Sequence, residues 1–297
     1  MFRLDGAAVY QIEGKAAYVE KSLQTLFEKN LEKLLGVRFL ATEYVTSNGG
    51  RIDSLGIDEN ACPVIVEYKR DSSQNVINQG LFYLDWLMDH QADFKLLVLD
   101  RLGGEAAQSI EWSGPRLICI ANDFKKWDEH AVKQMNRNID LIRYRLFSND
   151  LLLLEGLTAT SGNPTVKPSG TTVTKGQANY KTITEVLSQA PENLNDLFEG
   201  VREVLLGTGD DVQEKVLKFY FAYQRIKNFA CVELRLKSKR ILLFLKVDPD
   251  SLTLENGFTR DVRNIGHYGT GDLEVTINCA DDIEKARPLI EQSYTAS

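Results

Sequence analysis

Two carboxylates and an ammonium stand out: Asp53, Glu67 and Lys69. Asp53 closes the run Gly49-Gly50-Arg51-Ile52-Asp53, and Glu67 and Lys69 end the run Val64-Ile65-Val66-Glu67-Tyr68-Lys69. Carboxylate oxygens of this kind suit Mg²⁺ or Mn²⁺. A lysine beside such a metal can orient or deprotonate a water, which completes a set able to hydrolyse a phosphodiester. For the three groups to meet, two neighbouring strands must carry them. Arg51–Ile57 and Pro63–Tyr68 read as those strands, with Glu67 and Lys69 on one face and Val66 and Tyr68 on the other. A hairpin-like return through Asp58-Glu59-Asn60 would set Asp53 beside Glu67.

Asp53 followed by Glu67-Tyr68-Lys69 resembles the D…E-x-K signature of the PD-(D/E)xK nuclease superfamily, which has the restriction-endonuclease-like fold. Ile52 stands where that signature often has proline. Gln79-Gly80-Leu81-Phe82-Tyr83 is similar to the Q-x-x-x-Y motif that follows the E-x-K strand in RecB-type nucleases. Glu20-Lys21-Ser22-Leu23-Gln24, with Glu28-Lys29-Asn30 after it, resembles the start of NucS-like endonuclease domains. The resemblance implies a metal site of Asp53, Glu67, the Tyr68 carbonyl and Glu20, with Glu28 as second choice for the helix carboxylate. It implies Mg²⁺ or Mn²⁺ as cofactor and nucleic acid, by family habit DNA, as substrate. Lys69 would position the attacking water, and Gln79 and Tyr83 would steady the site or touch the substrate backbone.

The elements that must hold these residues follow from periodicity. Val19, Leu23, Leu26, Phe27, Leu31, Leu34 and Leu35 recur at helical spacing, which predicts a helix over Gly14–Leu35 stopped by Gly36. On it Glu20, Gln24 and Glu28 share a stripe, whose plain reading is a solvated face. Residues 1–12 read as a short strand or arm. Val37–Thr46 is the strand before Arg51–Ile57. Ser72-Ser73 would cap a helix over Gln74–His90, on which Gln79 and Tyr83 share a face. Phe94–Leu99 and Pro115–Ala121 read as apolar strands and Asp123–Met135 as a helix. Ile139–Phe147 and Leu151–Leu157 read as a hairpin about Ser148-Asn149-Asp150. The expected class is α/β: an αβββαβ core with a mixed sheet flanked by helices, and a smaller α+β part after it. Lys125, Lys126, Arg143 and Arg145 are candidates for a phosphate track, or more plainly scattered solvated charges.

Thr158–Tyr180 is rich in Thr, Ser, Gly, Pro and Lys and reads as a flexible linker. It lacks the G-x-x-x-x-G-K-[ST] arrangement of a phosphate-binding loop. The expected division is therefore a nuclease-like domain over 1–157, a linker over 158–180 and an accessory α+β domain over 181–297. In the last, Thr184–Gln189, Leu194–Leu206 and Asp281–Tyr294 read as helices. Phe219–Gln224, Phe229–Leu236, Arg240–Val247 and Leu273–Ile277 read as strands. This half resembles a small domain of unknown function at the C-terminus of nuclease-like proteins, some of them called "predicted transport proteins". The glycine-rich Asp261–Asp272 is its one chemically suggestive piece, and His267 within it reads more plainly as a turn residue than as a base.

Composition narrows the classes. The chain of 297 residues is long enough for two cores, and 43% hydrophobic with 26% charged residues is ordinary for a globular protein. Cys62, Cys119, Cys231 and Cys279 lie far apart without a C-x-x-C pair, so they read as reduced and metal-free. His90, His130 and His267 form no metal-spaced cluster. Met1-Phe2-Arg3-Leu4-Asp5 carries no signal-peptide core, and no apolar run approaches membrane-spanning length, so a cytoplasmic protein without membrane association is expected. A net charge of −7 opposes broad, sequence-independent coating of DNA but allows a local basic strip.

Three functions remain in view from sequence. One is a metal-dependent nuclease. Another is a nucleic-acid-binding module of nuclease-like fold with little or no activity, working with a partner protein. The third is a plain interaction protein in which Glu67 and Lys69 form a surface pair worth about 0–1 kcal/mol. Cutting both strands of a duplex needs two sites, hence a homodimer or a partner held by the C-terminal part.

Overall fold

The computed structural model describes residues 1–5, 8–16, 19–72, 75–148, 150–160 and 182–297. The chain divides into two compact units, Met1–Asn163 and Pro164–Ser297.

The first unit opens with a hairpin of β1 (Phe2–Asp5) and β2 (Ala8–Gln11), then the short β3 (Gly14–Lys15). The helix expected over Gly14–Leu35 is two helices, α1 (Glu20–Lys29) and α2 (Leu31–Leu35). Asn30 leaves the helical region between them, and Gly36, at φ 66°, ends α2 as expected. A meander of β4 (Val37–Val45), β5 (Arg51–Asp58) and β6 (Pro63–Ser72) follows, antiparallel throughout. The helix after it is α3 (Val76–Asp89); Ser73 and Gln74 lie outside the described residues, and Ser72 belongs to β6.

The chain then departs from expectation. Phe94–Leu99 is not a strand but part of α4 (Gln91–Leu102), followed by α5 (Gly104–Gln108). Within that apolar run only Phe94 and Val98 are buried, while Leu96 and Leu99 are exposed. A spacing of four is helical, and the sequence disguised it by placing leucines on the solvent side. Next come β7 (Arg116–Asp123), α6 (Lys126–Lys133), β8 (Asn138–Phe147) and β9 (Leu151–Thr160). Thr158–Thr160 therefore extend a strand instead of opening a linker, and the rest of the expected linker, from position 161, lies outside the described residues.

The sheet order is β3-β8-β7-β6-β5-β4, with β9 also on β8. β6 runs parallel to β7 and β7 to β8, so an antiparallel meander is fused to a parallel half. The order helix, three strands, helix, strand is the αβββαβ arrangement within an α/β fold. One core packs α3 and α4 against the sheet through Val76, Leu84, Leu87, Val98, Ile65 and Leu117. On α1, Leu23 and Phe27 are buried, and the Phe27 ring lies 5.7 Å from that of Tyr68.

The second unit has α7 (Ile183–Ser188) and α8 (Glu192–Gly207), then β10 (Gln213–Val216), β11 (Phe221–Gln224), β12 (Asn228–Arg235) and β13 (Arg240–Leu245). It ends with β14 (Thr259–Asp261), β15 (Leu273–Ile277) and α9 (Ala280–Thr295). Its antiparallel sheet has the order β10-β11-β12-β13-β15-β14. Phe198 and Val201 of α8 and Ala286 and Ile290 of α9 share a core with Val232, Leu243 and Val275. The short outermost strands β10 and β14 had no sequence signature. Among the described residues no helix is long and apolar enough to cross a membrane.

Candidate metal and nucleic-acid site

The site forms where β5 and β6 part. Their ladder ends at Ser54↔Val66, and one step further Asp53 and Glu67 face each other without a ladder pairing. Side chains take over the backbone bonds there. The Asp53 N–H donates to Glu67 Oε1 at 3.1 Å, and the Tyr68 N–H donates to Asp53 Oδ2 at 3.1 Å. In a strand the N–H and C=O of one residue point to the same edge, which turns the Tyr68 carbonyl toward the same gap.

The turn before β5 needs both its glycines. Gly49 sits at φ 85°, where a side chain is strained. A Cβ on Gly50 would lie 2.3 Å from Tyr83 Cε1. Tyr83 uses that space: its hydroxyl accepts from the Arg51 N–H at 3.2 Å and from Gln79 Nε2 at 3.1 Å. Gln79 and Tyr83 therefore meet each other and the start of β5. Trp86 braces the same turn, donating from Nε1 to Ser47 Oγ at 2.9 Å, with the His90 ring stacked on it at 4.4 Å.

Burial governs the electrostatics. Glu67 is fully buried. Burial first, and the neighbouring Asp53 charge second, push its carboxyl up to about 9. Asp53 is raised as well, mainly by burial, against the lowering effect of the Tyr68 N–H and of Lys69. The buried Glu67 Oε2 has no hydrogen-bond partner. A buried carboxyl that holds its proton, with one oxygen orphaned, and a second carboxyl raised beside it are groups that a divalent cation would relieve. Among the described residues no three His, Cys, Asp or Glu side chains converge on one point. Two carboxylates and a carbonyl still fit Mg²⁺, which keeps several waters and takes one or two protein carboxylates.

The remaining candidates stand around this pair. Lys69 Nζ donates to Glu20 Oε1 at 3.1 Å, and the Arg70 N–H donates to Glu20 Oε2 at 3.1 Å. Both Glu20 oxygens are thus engaged by the end of β6, so Glu20 stands beside Lys69 as its counter-ion. Glu28 faces elsewhere, accepting from Ser54 Oγ at 2.8 Å and Gln24 Nε2 at 2.9 Å. Arg143 does not line a phosphate track, because Glu155 and Asp123 hold its guanidinium. Lys125 caps α6 from just before it, its N–H donating to Asp128 Oδ2 at 2.9 Å.

Two residues escaped sequence reading. Gln24 is nearly fully buried and donates to the Asp53 carbonyl at 2.8 Å, tying α1 to the site. Its place between Glu20 and Glu28 on one stripe was the available signal. Glu43, in the left-handed region at φ 51°, holds Lys21 at 2.7 Å and Arg51 at 2.6 Å beside the site. The Lys21 bond sets its carboxyl below the ordinary range.

Comparison with known proteins gives the following. Residues 183–297 match the family profile "Domain of unknown function (DUF5655)". A Haemophilus influenzae protein described as an uncharacterized protein is 26% identical over 290 residues, 95% of each chain. A repair endonuclease from Pyrococcus abyssi matches with a TM-score of 0.30 and 17% identity, over 46% of this chain and 51% of that one. The structure of an EndoMS–double-stranded DNA complex matches with a TM-score of 0.29 and 16% identity, over 46% of this chain and 50% of that one. The chain thus spans about half the length of these solved structures.

Proposed function

We propose that the first unit is a metal-dependent nuclease that hydrolyses phosphodiester bonds, with DNA as substrate. The observation that carries this reading is the Asp53–Glu67 pair at the parting of two strands, Glu67 buried and Asp53 half-buried, with Glu67 Oε2 unpartnered and Lys69 alongside. Asp53, Glu67 and the Tyr68 carbonyl would hold Mg²⁺ or Mn²⁺. Such an ion, when bound, polarises a phosphoryl oxygen and lowers the pKa of a water. Glu67 gives up the proton that burial keeps on it. Lys69 orients the attacking water and offsets phosphate charge, and Glu20, by gripping the ammonium, sets where Lys69 points. Gln24 fixes α1 to the Asp53 backbone, and Gln79 and Tyr83 fix the entrance of β5.

The test is cleavage of single-stranded, duplex and forked DNA with Mn²⁺ and then Mg²⁺. Wild type runs beside Lys69→Ala and Asp53→Asn, each checked for folding by circular dichroism. Metal-dependent cutting lost in both variants is the expected result. Cutting that survives both substitutions sinks the assignment. A second reading, a nucleic-acid-binding module of slight activity, draws on the engagement of Lys69 by Glu20. Retained DNA binding without turnover in either metal would select it.

A further inference from the structure

The sheet of the second unit carries its helices on one face. On the other face β12 and β13 meet through the register pairs Cys231↔Phe244, Glu233↔Leu242 and Arg235↔Arg240, since cross-strand partners share a face. The glycine-rich segment between β14 and β15 lies over the first of these pairs. His267 lies flat on Phe244 at 4.3 Å, and the Thr270 N–H donates to Cys231 Sγ at 3.3 Å. Gly269, at φ 76°, has no room for a Cβ, which would lie 2.4 Å from Cys231 Sγ. His267 is thus a packing residue, as the plainer sequence reading had it.

Tyr268, between them, turns outward and is 41% exposed. Its ring stacks on Phe219 at 5.0 Å and lies 12° from the plane of Tyr220 at 6.3 Å. The exposed Lys218 sets its ammonium over Phe219 at 5.1 Å. The Leu217 N–H donates to the Tyr220 carbonyl at 3.0 Å, so Lys218 and Phe219 make the turn between β10 and β11. Because β11 pairs antiparallel with β12 from Phe221↔Val232, that turn stands at the end of the sheet where β12 leads into β13.

A run of cations stands at the same end. Arg235-Leu236-Lys237-Ser238-Lys239-Arg240 is cationic at every position but Leu236 and Ser238, and each of its cations is exposed. Glu233 joins this run to the rings. The Tyr268 N–H donates to Glu233 Oε1 at 3.2 Å, and the Arg235 guanidinium pairs with Glu233 Oε2. Among the described residues Lys237, Lys239 and Arg240 pair with no carboxylate. Arg235 and Arg240 are direct register partners, and like charges so placed repel each other. Lys239 sits at φ 50°, in the left-handed region where glycine or asparagine is the usual residue. A solvated tip needs charge but not charge of one sign, and a cluster of one sign is relieved by a polyanion. The helices α8 and α9, on the opposite face, carry mostly carboxylates, so the basic character is local to this end.

Cations beside exposed, stacked rings suit an unpaired strand of nucleic acid: the cations follow its phosphates, and the rings take its bases whatever their sequence. A duplex stacks its bases on one another and offers the rings nothing, and an anionic lipid surface has no planar group to offer. We propose that this end of the second unit's sheet binds single-stranded nucleic acid, with Lys218, Lys237, Lys239 and Arg240 on the phosphates and Tyr268 and Phe219 against the bases. It is the local basic strip that a net charge of −7 allows. The proposal is independent of the nuclease reading.

The experiment is fluorescence anisotropy of labelled oligo-dT, oligo-U and duplex DNA with the full chain, in chelator so that no metal-dependent hydrolysis intrudes. Oligo-dT or oligo-U should bind at least about tenfold more tightly than the duplex, and the tighter of the two names the sugar. Lys237→Gln, Lys239→Gln and Arg240→Gln together should weaken strand binding by about tenfold or more and reduce the slope of log affinity against log salt by about two. Tyr268→Ala should weaken it by about tenfold with that slope unchanged. The preference of the wild-type chain for strand over duplex needs no variant and stands if one misfolds. Equal binding of strand and duplex, or strand affinity unchanged in the folded tip variant or in folded Tyr268→Ala, overturns the proposal. So does binding of phosphatidylserine vesicles in place of the strand. Strand binding lost in Lys69→Ala but kept in the tip variant would put the strand on the first unit, overturning the proposal and leaving the nuclease reading in place.

Discussion

The Asp53 backbone N–H donates to Glu67 Oε1 at 3.1 Å, so each site carboxylate helps to end the β5–β6 ladder in which the other sits. The bond fixes Glu67 in a place with little water. The free energy of that placement is readable as a function of pH.

Glu67 titrates near its ordinary value when unfolded and at about 9 when folded. A carboxyl raised in this way favours the folded state at low pH. Its contribution is complete below the unfolded value and is lost as pH rises toward 9. Glu67→Gln should therefore raise the stability of the metal-free protein by roughly 1–3 kcal/mol at pH 7–8 and by less than about 1 kcal/mol at pH 5. Urea denaturation at the two pH values checks the sign; a variant less stable than wild type at pH 8 refutes it.

Because Glu67 holds its proton at neutral pH, loading of Mg²⁺ or Mn²⁺ should displace it. Calorimetry at pH 7 in two buffers of different ionisation enthalpy should report release of about one proton per metal, falling toward zero near pH 9.5. Asp53→Asn should abolish both the metal binding and the release.

Lys69 and Glu20 form a partly exposed pair at 3.1 Å, whose worth to stability is small. In the proposed mechanism its role is placement. Glu20→Gln should lower kcat by about tenfold with metal affinity changed less than about twofold, since the amide still accepts from Lys69 without its charge. A metal affinity reduced in parallel with kcat would instead make Glu20 a ligand.

Gly50 and Tyr83 occupy one space. Gly50→Ala should cost about 1–3 kcal/mol by overpacking, and in a Tyr83→Ala background the same substitution should cost much less. A double-mutant cycle with additive terms would show that the contact does not hold the turn.

Arg116 at the start of β7 is fully buried, with salt bridges to Asp58 and Asp140. Arg116→Met leaves two buried carboxylates without their counter-charge and should cost about 3–5 kcal/mol, measured by denaturant unfolding. A loss under about 1 kcal/mol would mean that water reaches the pair.

Much of this protein was legible in one dimension. Apolar runs bounded by turn residues located β4, β5 and β6, and alternation located the β8–β9 hairpin, because a central strand buried on both faces reads as a continuous apolar run and a half-buried one alternates. Asp53 and Glu67 were singled out as charge at the ends of such runs, and the structure sets them side by side just past the end of the β5–β6 ladder. Other features needed the third dimension. Phe94–Leu99 looked like a strand until the packing of Phe94 and Val98 showed a helix with leucines facing solvent. The engagement of Glu20 by Lys69 and Arg70, the reach of Gln24 to the Asp53 carbonyl and the Arg116 pairs join residues far apart in the chain. The sequence alone determined which residues are apolar, charged or able to turn. Only the tertiary structure decided which charges lose their water and which find a partner, because desolvation and pairing depend on neighbours that chain order does not record.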